Sequence, residues 1–234
     1  MRRCGKLLIG LHVVVLVSVA FLYPAYAEPP VIDRLVFIHY KARGGGGDPA
    51  TTPTDQATNY RYTGIHWFKL PVTYEVNPSG SGISDRGAVV TAITYAFEEW
   101  DKYTSKELFS NLVATTTLTG GYRDEHNVVS WAFMSDSNVI AITYVWYYVA
   151  TKEIVECDTI FSTRFVWSLD PPSPSAMSVL NIATHESGHW ISLGDLNPYK
   201  DSLLTMYAYS TYGETIKETL GKGDVLGVQK AYGA

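Results

Sequence analysis

The chain has 234 residues, of which 46% are hydrophobic and 18% are charged, and its formal net charge is −5. This composition excludes a disordered chain and provides enough apolar residues for a sizeable core. The acidic balance argues against nucleic acid as a partner, because phosphate backbones attract basic surfaces. We expect a folded, monomeric protein.

Residues 1–27 have the organisation of a secretory signal peptide. A basic start, MRRCGK, precedes the apolar stretch 7–22, and YPAYA then offers small residues for cleavage after Ala27. The apolar stretch is shorter than the ~20 residues that a membrane-spanning helix requires. We expect a secreted, extracellular protein, with membrane anchoring through an uncleaved 7–22 segment as the alternative.

Residues 28–59 form a separate region between the signal and the main domain. VIDRLVFIHYK predicts a strand over about 32–41, and the stretch that follows is rich in Gly, Pro and Thr, as flexible linkers are. Because this strand is too apolar to remain free in water, we expect it to dock on the main domain. It would either add to a sheet edge, which is the interpretation favoured here, or lie in a substrate cleft with Asp33 or His39 over a metal.

The main domain is predicted to span residues 60–234. LPVTYEVNP predicts a first strand, and apolar residues spaced three and four apart from Val89 to Trp100 predict an amphipathic helix capped by Ser84. Four runs rich in β-branched and aromatic residues then predict strands. These runs cover 111–119, 126–134, 138–148 and 152–161.

Two more helices are expected in the second half of the domain. Ser175 is the expected cap of a helix through 176–191, and GDVLGVQKAYG predicts a short closing helix. Helices and strands that are segregated along the chain in this way indicate an α+β fold.

The stretch HESGHWISLGD, from His185 to Asp195, contains the clearest chemical pattern. Helix positions four apart lie on one face, so His185 and His189 can direct imidazole nitrogens at one zinc ion. Glu186 is offset by about 100° and can reach a metal-held water as a general base. The five-residue motif alone also occurs by chance on ordinary helices.

Asp195 is the candidate third ligand. A continued helix would turn it roughly 240° away from the histidines, so the chain must leave the helix before Asp195, and Gly194 provides a position that tolerates a turn. Three protein ligands leave one position open, which is the catalytic form of a zinc site.

With these residues in place, the chain resembles a known family. HESGHWISLGD resembles the metzincin motif HExxHxxGxxH or D in its matrixin-type branch, and SLLTMYAYS resembles the Met-turn of that branch. The resemblance covers about residues 60–234. It implies a metzincin-like catalytic domain, with a mixed twisted sheet, two main helices, a C-terminal helix and zinc in the cleft.

The resemblance also implies roles around the metal. Met206 would form a hydrophobic floor beneath it, and substrate would lie antiparallel to the edge strand at 138–148. Tyr207, Tyr209 and Tyr212 follow the methionine and are candidates for the wall of the pocket beyond the cleaved bond, with ordinary packing as the alternative.

Some features depart from the family pattern. Ser192 stands where the family has its turn glycine, so the turn is expected to differ and to centre on Gly194. The propeptide cysteine motif is absent, because the cysteine of the mature chain, Cys157, lies inside the domain. The calcium-binding loops are not recognisable, and Ca²⁺ is left open as a second metal.

The remaining histidines are assigned to surface or packing positions. Outside the signal segment, they are His39, His66 and His126. A second metal site built from His126, Asp124 and Glu125 is a minor alternative.

The whole pattern predicts a secreted zinc endopeptidase acting on proteins or peptides. Zn²⁺ would be held by His185, His189 and Asp195, with Glu186 as the general base. One alternative is a gluzincin-type peptidase whose third ligand is a distant glutamate, Glu214 or Glu218. Another is a secreted protein with a structural, non-catalytic metal.

Overall fold

The computed structural model describes residues 29–42, 53–170 and 172–234. The strands are β1 (Ile32–Lys41), β2 (Glu75–Val76), β3 (Ala114–Thr115), β4 (Val128–Ala132), β5 (Val139–Tyr148), β6 (Ile154–Ser162), β7 (Trp167–Ser168), β8 (Met177–Ser178) and β9 (Tyr209–Ser210). The helices are α1 (Arg86–Asp101), α2 (Val179–Trp190) and α3 (Lys222–Tyr232). Short 3₁₀ turns lie at Tyr199–Asp201 and Ile216–Glu218.

The predicted signal segment, 1–27, lies outside the described residues. Within the described ranges, no helix combines the length and the hydrophobicity that crossing a membrane requires.

Seven strands form one mixed sheet in the order β3-β2-β4-β6-β5-β1-β9. The strands from β3 to β6 run parallel, whereas β5 is antiparallel to both of its neighbours, β6 and β1. A mixed sheet with two main helices and a closing helix confirms the α+β prediction. The long strands β5 and β6 are largely buried on both faces, as strands in the middle of a covered sheet are.

Two predicted strands are much shorter than their sequence runs. In LPVTYEVNP only Glu75–Val76 pairs as a strand, because Pro71 and Pro78 lack the N–H that a ladder requires. In the run 111–119 only Ala114–Thr115 pairs, at the edge of the sheet.

Helix α1 buries the predicted apolar face. Val89, Ile93 and Trp100 are fully buried, as the spacing of three and four requires. The cap differs from the prediction: Asp85, and not Ser84, precedes the first turn and accepts a hydrogen bond from the backbone N–H of Ala88 at 2.9 Å. Asp and Ser are equally good caps, so sequence alone does not separate neighbouring candidates.

Helix α2 begins later than predicted and is buried on every side. Its cap is Ser178, whose hydroxyl accepts from the backbone N–H of Asn181 at 3.1 Å, whereas the predicted cap Ser175 lies outside the helix. Residues 177 and 178 pair with β7 instead, which delays the helix start. Helix α1 packs against α2, and the indole N–H of Trp100 donates to the carbonyl of Thr184 at 2.9 Å.

The helix contact depends on Gly188, which faces both Trp100 and Met206. A Cβ at this position would lie 2.7 Å from Trp100 Cζ2 and still closer to the sulfur of Met206. We expect Gly188→Ala to lower the free energy of unfolding by about 1–3 kcal/mol, the usual cost of overpacking. Thermal and urea unfolding measure this change.

Gly87→Ala in helix α1 is the matched control. Its Cβ would meet Asp85 Oδ1 at 3.5 Å, an ordinary contact, and alanine is the better helix residue. The control is expected to be neutral or slightly stabilising. Equal stability of Gly188→Ala and wild type would contradict the close packing described here.

Strand β1 docks on the edge of β5, the strand along which substrate was expected to lie, so the favoured sheet addition and its alternative, a position in the cleft, coincide in one pairing. Nine residue pairs form an antiparallel ladder, from Ile32 opposite Tyr148 to Tyr40 opposite Val139. The end of β1 also pairs in parallel with β9. The strand therefore lies between β5 and the segment that follows Met206.

Candidate active site

Helix α2 brings the three residues of the motif into one buried place. His185 and His189 are one turn apart, and each imidazole is fixed by a hydrogen bond from Nδ1 to a backbone carbonyl. The Nδ1–H of His185 donates to Thr205 at 2.7 Å, and that of His189 donates to Leu193 at 2.8 Å. Both Nε2 atoms therefore carry the lone pair, which is the tautomer that a metal ligand needs.

Asp195 completes the cluster. Its Oδ1 lies 3.3 Å from His185 Nε2 and 3.6 Å from His189 Nε2. All three atoms are buried, and none has a hydrogen-bond partner among the described residues. Buried polar atoms are normally satisfied, so three unsatisfied atoms directed at one point fit a metal ion, and their donor set of two imidazoles and a carboxylate suits zinc.

The electrostatics of the cluster favour the protonation states that bind a metal. Burial lowers the pKa of His185 and of His189, which keeps both imidazoles neutral. Burial alone would raise the pKa of Asp195, but the two adjacent histidines hold it below its usual value. Two neutral imidazoles and one carboxylate are the required ligand forms.

The turn between His189 and Asp195 centres on Ser192, and not on Gly194 as expected. Ser192 has a φ of 83°, a left-handed conformation that is unfavourable for a residue with a Cβ. Its surroundings compensate: the Ser192 hydroxyl donates to the carbonyl of Ile65, and the backbone N–H of Thr63 donates to the carbonyl of Ser192 at 2.9 Å. Serine thus occupies a glycine conformation because contacts with Thr63 and Ile65 hold it there.

Glu186 is held at the other side of the cluster by a chain of hydroxyl groups. The Thr143 hydroxyl donates to Glu186 Oε2 at 2.6 Å, and the Thr159 hydroxyl in turn donates to Thr143 at 2.6 Å. The indole N–H of Trp190 donates to Thr159 at 2.9 Å. Burial raises the pKa of Glu186, as a group that must accept a proton requires.

Sequence reasoning did not select Thr143 or Thr159. The signal available was a threonine within the run of each long strand, β5 and β6. In the sheet these two threonines lie directly opposite each other.

Strand β1 covers the cluster. The ring of Phe37 stacks on the ring of His189 with centroids 4.0 Å apart, and the ring of His39 lies 3.9 Å from that of His185. His39 Nδ1 is 3.0 Å from Glu186 Oε1. The assignment of His39 to incidental packing is therefore wrong, because its ring contacts the motif directly.

Met206 lies against the histidine helix, α2. It is buried, and its sulfur faces Gly188 between the two histidines. The turn around it is anchored by Asp224 of α3, which accepts from the backbone N–H of Thr205 at 2.7 Å and of Met206 at 3.1 Å. Asp224 was expected only near the start of the closing helix, and its role in holding this turn was missed.

The three tyrosines after Met206 make different contacts. The rings of Tyr207 and Tyr209 are 5.5 Å apart, and the buried ammonium of Lys217 lies 5.8 Å from the Tyr207 ring. Tyr212 is partly exposed and lies 5.4 Å from the ammonium of Lys41. Their predicted role as a pocket wall stays a prediction.

The comparison with known families now bears on this arrangement. The matrixin family model, peptidase M10, matches residues 66–233. The chain belongs to the matrixin family. This matrixin is therefore a zinc-dependent metallopeptidase. No curated protein matches the chain.

The distant glutamates are engaged away from the cluster. Glu214 Oε2 accepts from the backbone N–H of Thr211 at 3.0 Å, and its Oε1 accepts from the ammonium of Lys217. Glu218 accepts from the Ser178 hydroxyl at 2.9 Å. Neither belongs to a potential metal-binding group in the described part of the chain, where Asp195 is grouped with His185 and His189.

The minor alternative of a second metal site at His126 is not formed in the described residues. The His126 ring lies 3.0 Å from a carboxylate oxygen of Glu75. The backbone N–H groups of Asp124 and Glu125 donate to Glu156, so this loop is fixed by backbone contacts.

Asp158, on β6 beside this loop, gives this matrixin a pH-dependent stability. Burial raises its pKa to about 7, although the backbone N–H groups of Gly121 and Val128 donate to it. In the unfolded chain the same carboxyl ionises near pH 4. Its contribution is therefore fully present below about pH 4 and is lost as the pH rises through about 7.

We expect Asp158→Asn to gain thermal stability relative to wild type as the pH rises from 5 to 8. The relative change should be at least about 2–4 °C, the shift that 1 kcal/mol produces in a domain of this size. Asp136→Asn, at an exposed carboxyl that does not contribute to the raised pKa of Asp158, is the control. Parallel melting curves for Asp158→Asn and wild type across this range would refute the assignment.

Proposed function

We propose that this matrixin is a secreted endopeptidase that cleaves extended polypeptides. The observation that carries the proposal is the cluster of three buried, unpartnered ligand atoms on His185, His189 and Asp195. Glu186 lies next to them in the sequence and in space. Three ligands and an adjacent carboxylate match a catalytic zinc site, whereas a structural site closes with four ligands and needs no base.

Each residue has a distinct task. His185, His189 and Asp195 hold Zn²⁺, which when bound supplies Lewis acidity and lowers the pKa of a water molecule. Glu186 accepts a proton at its carboxylate and passes it to the departing amine. Thr143 donates to Oε2 of Glu186 and so orients the carboxylate, leaving Oε1 for the proton transfer.

The substrate binds as an extended strand along β5. The docking of β1 supports this, because it demonstrates that the β5 edge accepts a peptide strand directly above the cluster. Main-chain pairing of this kind supplies affinity for many sequences, and side-chain pockets supply selectivity. Met206 forms the floor of the site, and Tyr207, Tyr209 and Tyr212 border the pocket beyond the cleaved bond.

The proposal extends to the setting of the enzyme. Residues 1–27 direct secretion, and the mature protein acts as a monomer outside the cell on protein or peptide substrates. Anchoring through residues 7–22 is the alternative if the segment is not cleaved. Metal analysis of the purified protein measures zinc and calcium separately in the same sample, which also tests whether calcium is bound.

Metal analysis and proteolysis together test the function. We expect one zinc per chain and digestion of casein at internal bonds, both lost with 1,10-phenanthroline and regained with added zinc. The assay uses wild type and Phe37→Ala/His39→Ala, because β1 covers the cluster. Internal fragments identified by mass spectrometry separate an endopeptidase from an enzyme that releases single residues. Casein left intact by the zinc-loaded variant would refute the proposal.

A further inference from the structure

The course of β1 is more specific than the addition of a strand to any free edge. Its ladder with β5 continues past His39 into contacts with the opposite border of the groove. The backbone N–H of Tyr40 donates to Ala208 at 3.3 Å, and that of Ala42 donates to Ser210 at 2.8 Å. The strand is thus bonded on both sides across the groove, as a bound peptide would be.

The two inward side chains of β1 each cover one of the predicted ligands. Residues 37 and 39 point to the same face of the strand, as a period of two requires. Phe37 lies parallel to the His189 ring, with an interplanar angle of 4°, and His39 lies over His185. The backbone around Ile38 therefore crosses above the ligand cluster, where a scissile peptide bond has to lie.

His39 also engages the catalytic carboxylate. Because a carboxylate only accepts hydrogen bonds, His39 Nδ1–H donates to Glu186 Oε1 at 3.0 Å, and the Ser210 hydroxyl donates to His39 Nε2 at 3.0 Å. With Thr143 on Oε2, both oxygens of Glu186 are occupied. His39 therefore occupies a hydrogen-bonding position on Oε1, the oxygen assigned to the proton transfer.

We propose that β1 is a built-in inhibitor of this matrixin, filling the substrate groove while His39 occupies the carboxylate of Glu186. The inference rests on the proposed function, since it assigns regulation to the same site. Within the described part of the chain no thiol contributes to it, because Cys157 is buried in β6 and β1 contains no cysteine.

The enzyme becomes active when β1 leaves the groove. The apparent affinity for substrate is reduced by the fraction of molecules in which the groove is open. Removing the two side chains that cover the cluster raises this fraction without altering a proposed ligand or the base.

The test compares full-length, zinc-loaded proteins. Phe37→Ala/His39→Ala removes both covering rings, and Tyr40→Pro removes the backbone donor to Ala208 while keeping both rings. Val36→Ala is the matched control, since its side chain lies on the same strand but is exposed. The readouts are casein digestion and the fluorescence anisotropy of a labelled peptide with the sequence of residues 31–42.

We expect both opened variants to digest casein at least about tenfold faster than wild type, with Val36→Ala within about twofold of wild type. The labelled peptide should bind the double variant, inhibit it in competition with casein, and bind wild type at least about tenfold more weakly. Tyr40→Pro keeps the test valid where loss of the buried Phe37 ring impairs folding.

Two failures are distinguishable. Equal digestion by wild type and both opened variants, with equal binding of the peptide, would overturn the inhibitor role and leave the proposed peptidase in place. In the other case, the peptide binds the opened variants selectively but no protein digests casein. This result would support occupation of the groove by β1 and would overturn the proposed peptidase activity.

Discussion

Replacing Glu186 by alanine is expected to lower casein digestion by about 10²–10⁴-fold, the usual contribution of a general base. The comparison is made in the Phe37→Ala/His39→Ala background, so that the groove is open in both proteins. Zinc content should stay at one ion per chain, because the metal is held by other residues. The loss should appear in kcat, with KM little changed, since the proton transfer occurs in the transition state.

Thr143→Val in the same background is the companion variant. It removes the hydroxyl that orients Glu186 but leaves the carboxylate, and a smaller loss than that of Glu186→Ala is expected. Equal digestion by Glu186→Ala and its parent would disprove the catalytic role given to the carboxylate. Loss of zinc together with activity would assign Glu186 a place among the ligands instead.

Asp195→Ala should release the metal. Changes in groups that merely orient a ligand typically weaken metal binding 10–100-fold, so loss of the ligand itself should exceed about 100-fold. The variant leaves two histidines and an extra open position, and casein digestion should fall with zinc occupancy. Competition with a fluorescent chelator at pH 7.5 measures the affinity.

Glu214→Ala is the control that separates the two zinc peptidase arrangements. Glu214 neutralises the buried ammonium of Lys217, so this variant loses some stability but should retain zinc. Affinities are compared on folded protein, confirmed by circular dichroism. Retention of zinc by Asp195→Ala, with loss in Glu214→Ala, would replace the third ligand proposed here by the distant glutamate.

The parts of the site that sequence could predict are those set by local geometry. His185, Glu186 and His189 lie within one turn of helix, so spacing alone determines that they share a side of it. Asp195 follows only six residues after His189, and the need for a turn between them was predictable. The turn was predicted at Gly194 but lies at Ser192. The contacts that hold Ser192 there come from Thr63 and Ile65, which are far away along the chain.

The parts that sequence could not predict depend on distant pairing. Thr143 and Glu186 are 43 residues apart, and His39 and Glu186 are 147 apart. Their contact follows from the register of β5 against β6 and of β1 against β5. A shift of one residue in either ladder would turn the side chain to the other face, and composition does not determine that register.

The sheet was predictable in class but not in its edges. The long runs of β5 and β6 were expected from their β-branched and aromatic residues, and both form strands. Strand β2 is short because prolines lie on both sides of it, and β3 is short because it pairs only with β2. These constraints outweigh the β-propensity of the residues.

Strand β1 and the domain belong to one chain, and this connection determines how the proposed inhibition is released. A segment that is covalently attached to the domain it binds, through a short stretch of chain, has an effective concentration in the millimolar range, far above that of a typical external substrate. While the chain is intact, rebinding of β1 therefore outpaces the entry of substrate. A single cut between Ala42 and Pro53 would turn β1 into a separate peptide, whose concentration equals that of the protein. After dilution the peptide would not rebind, and activation would be irreversible.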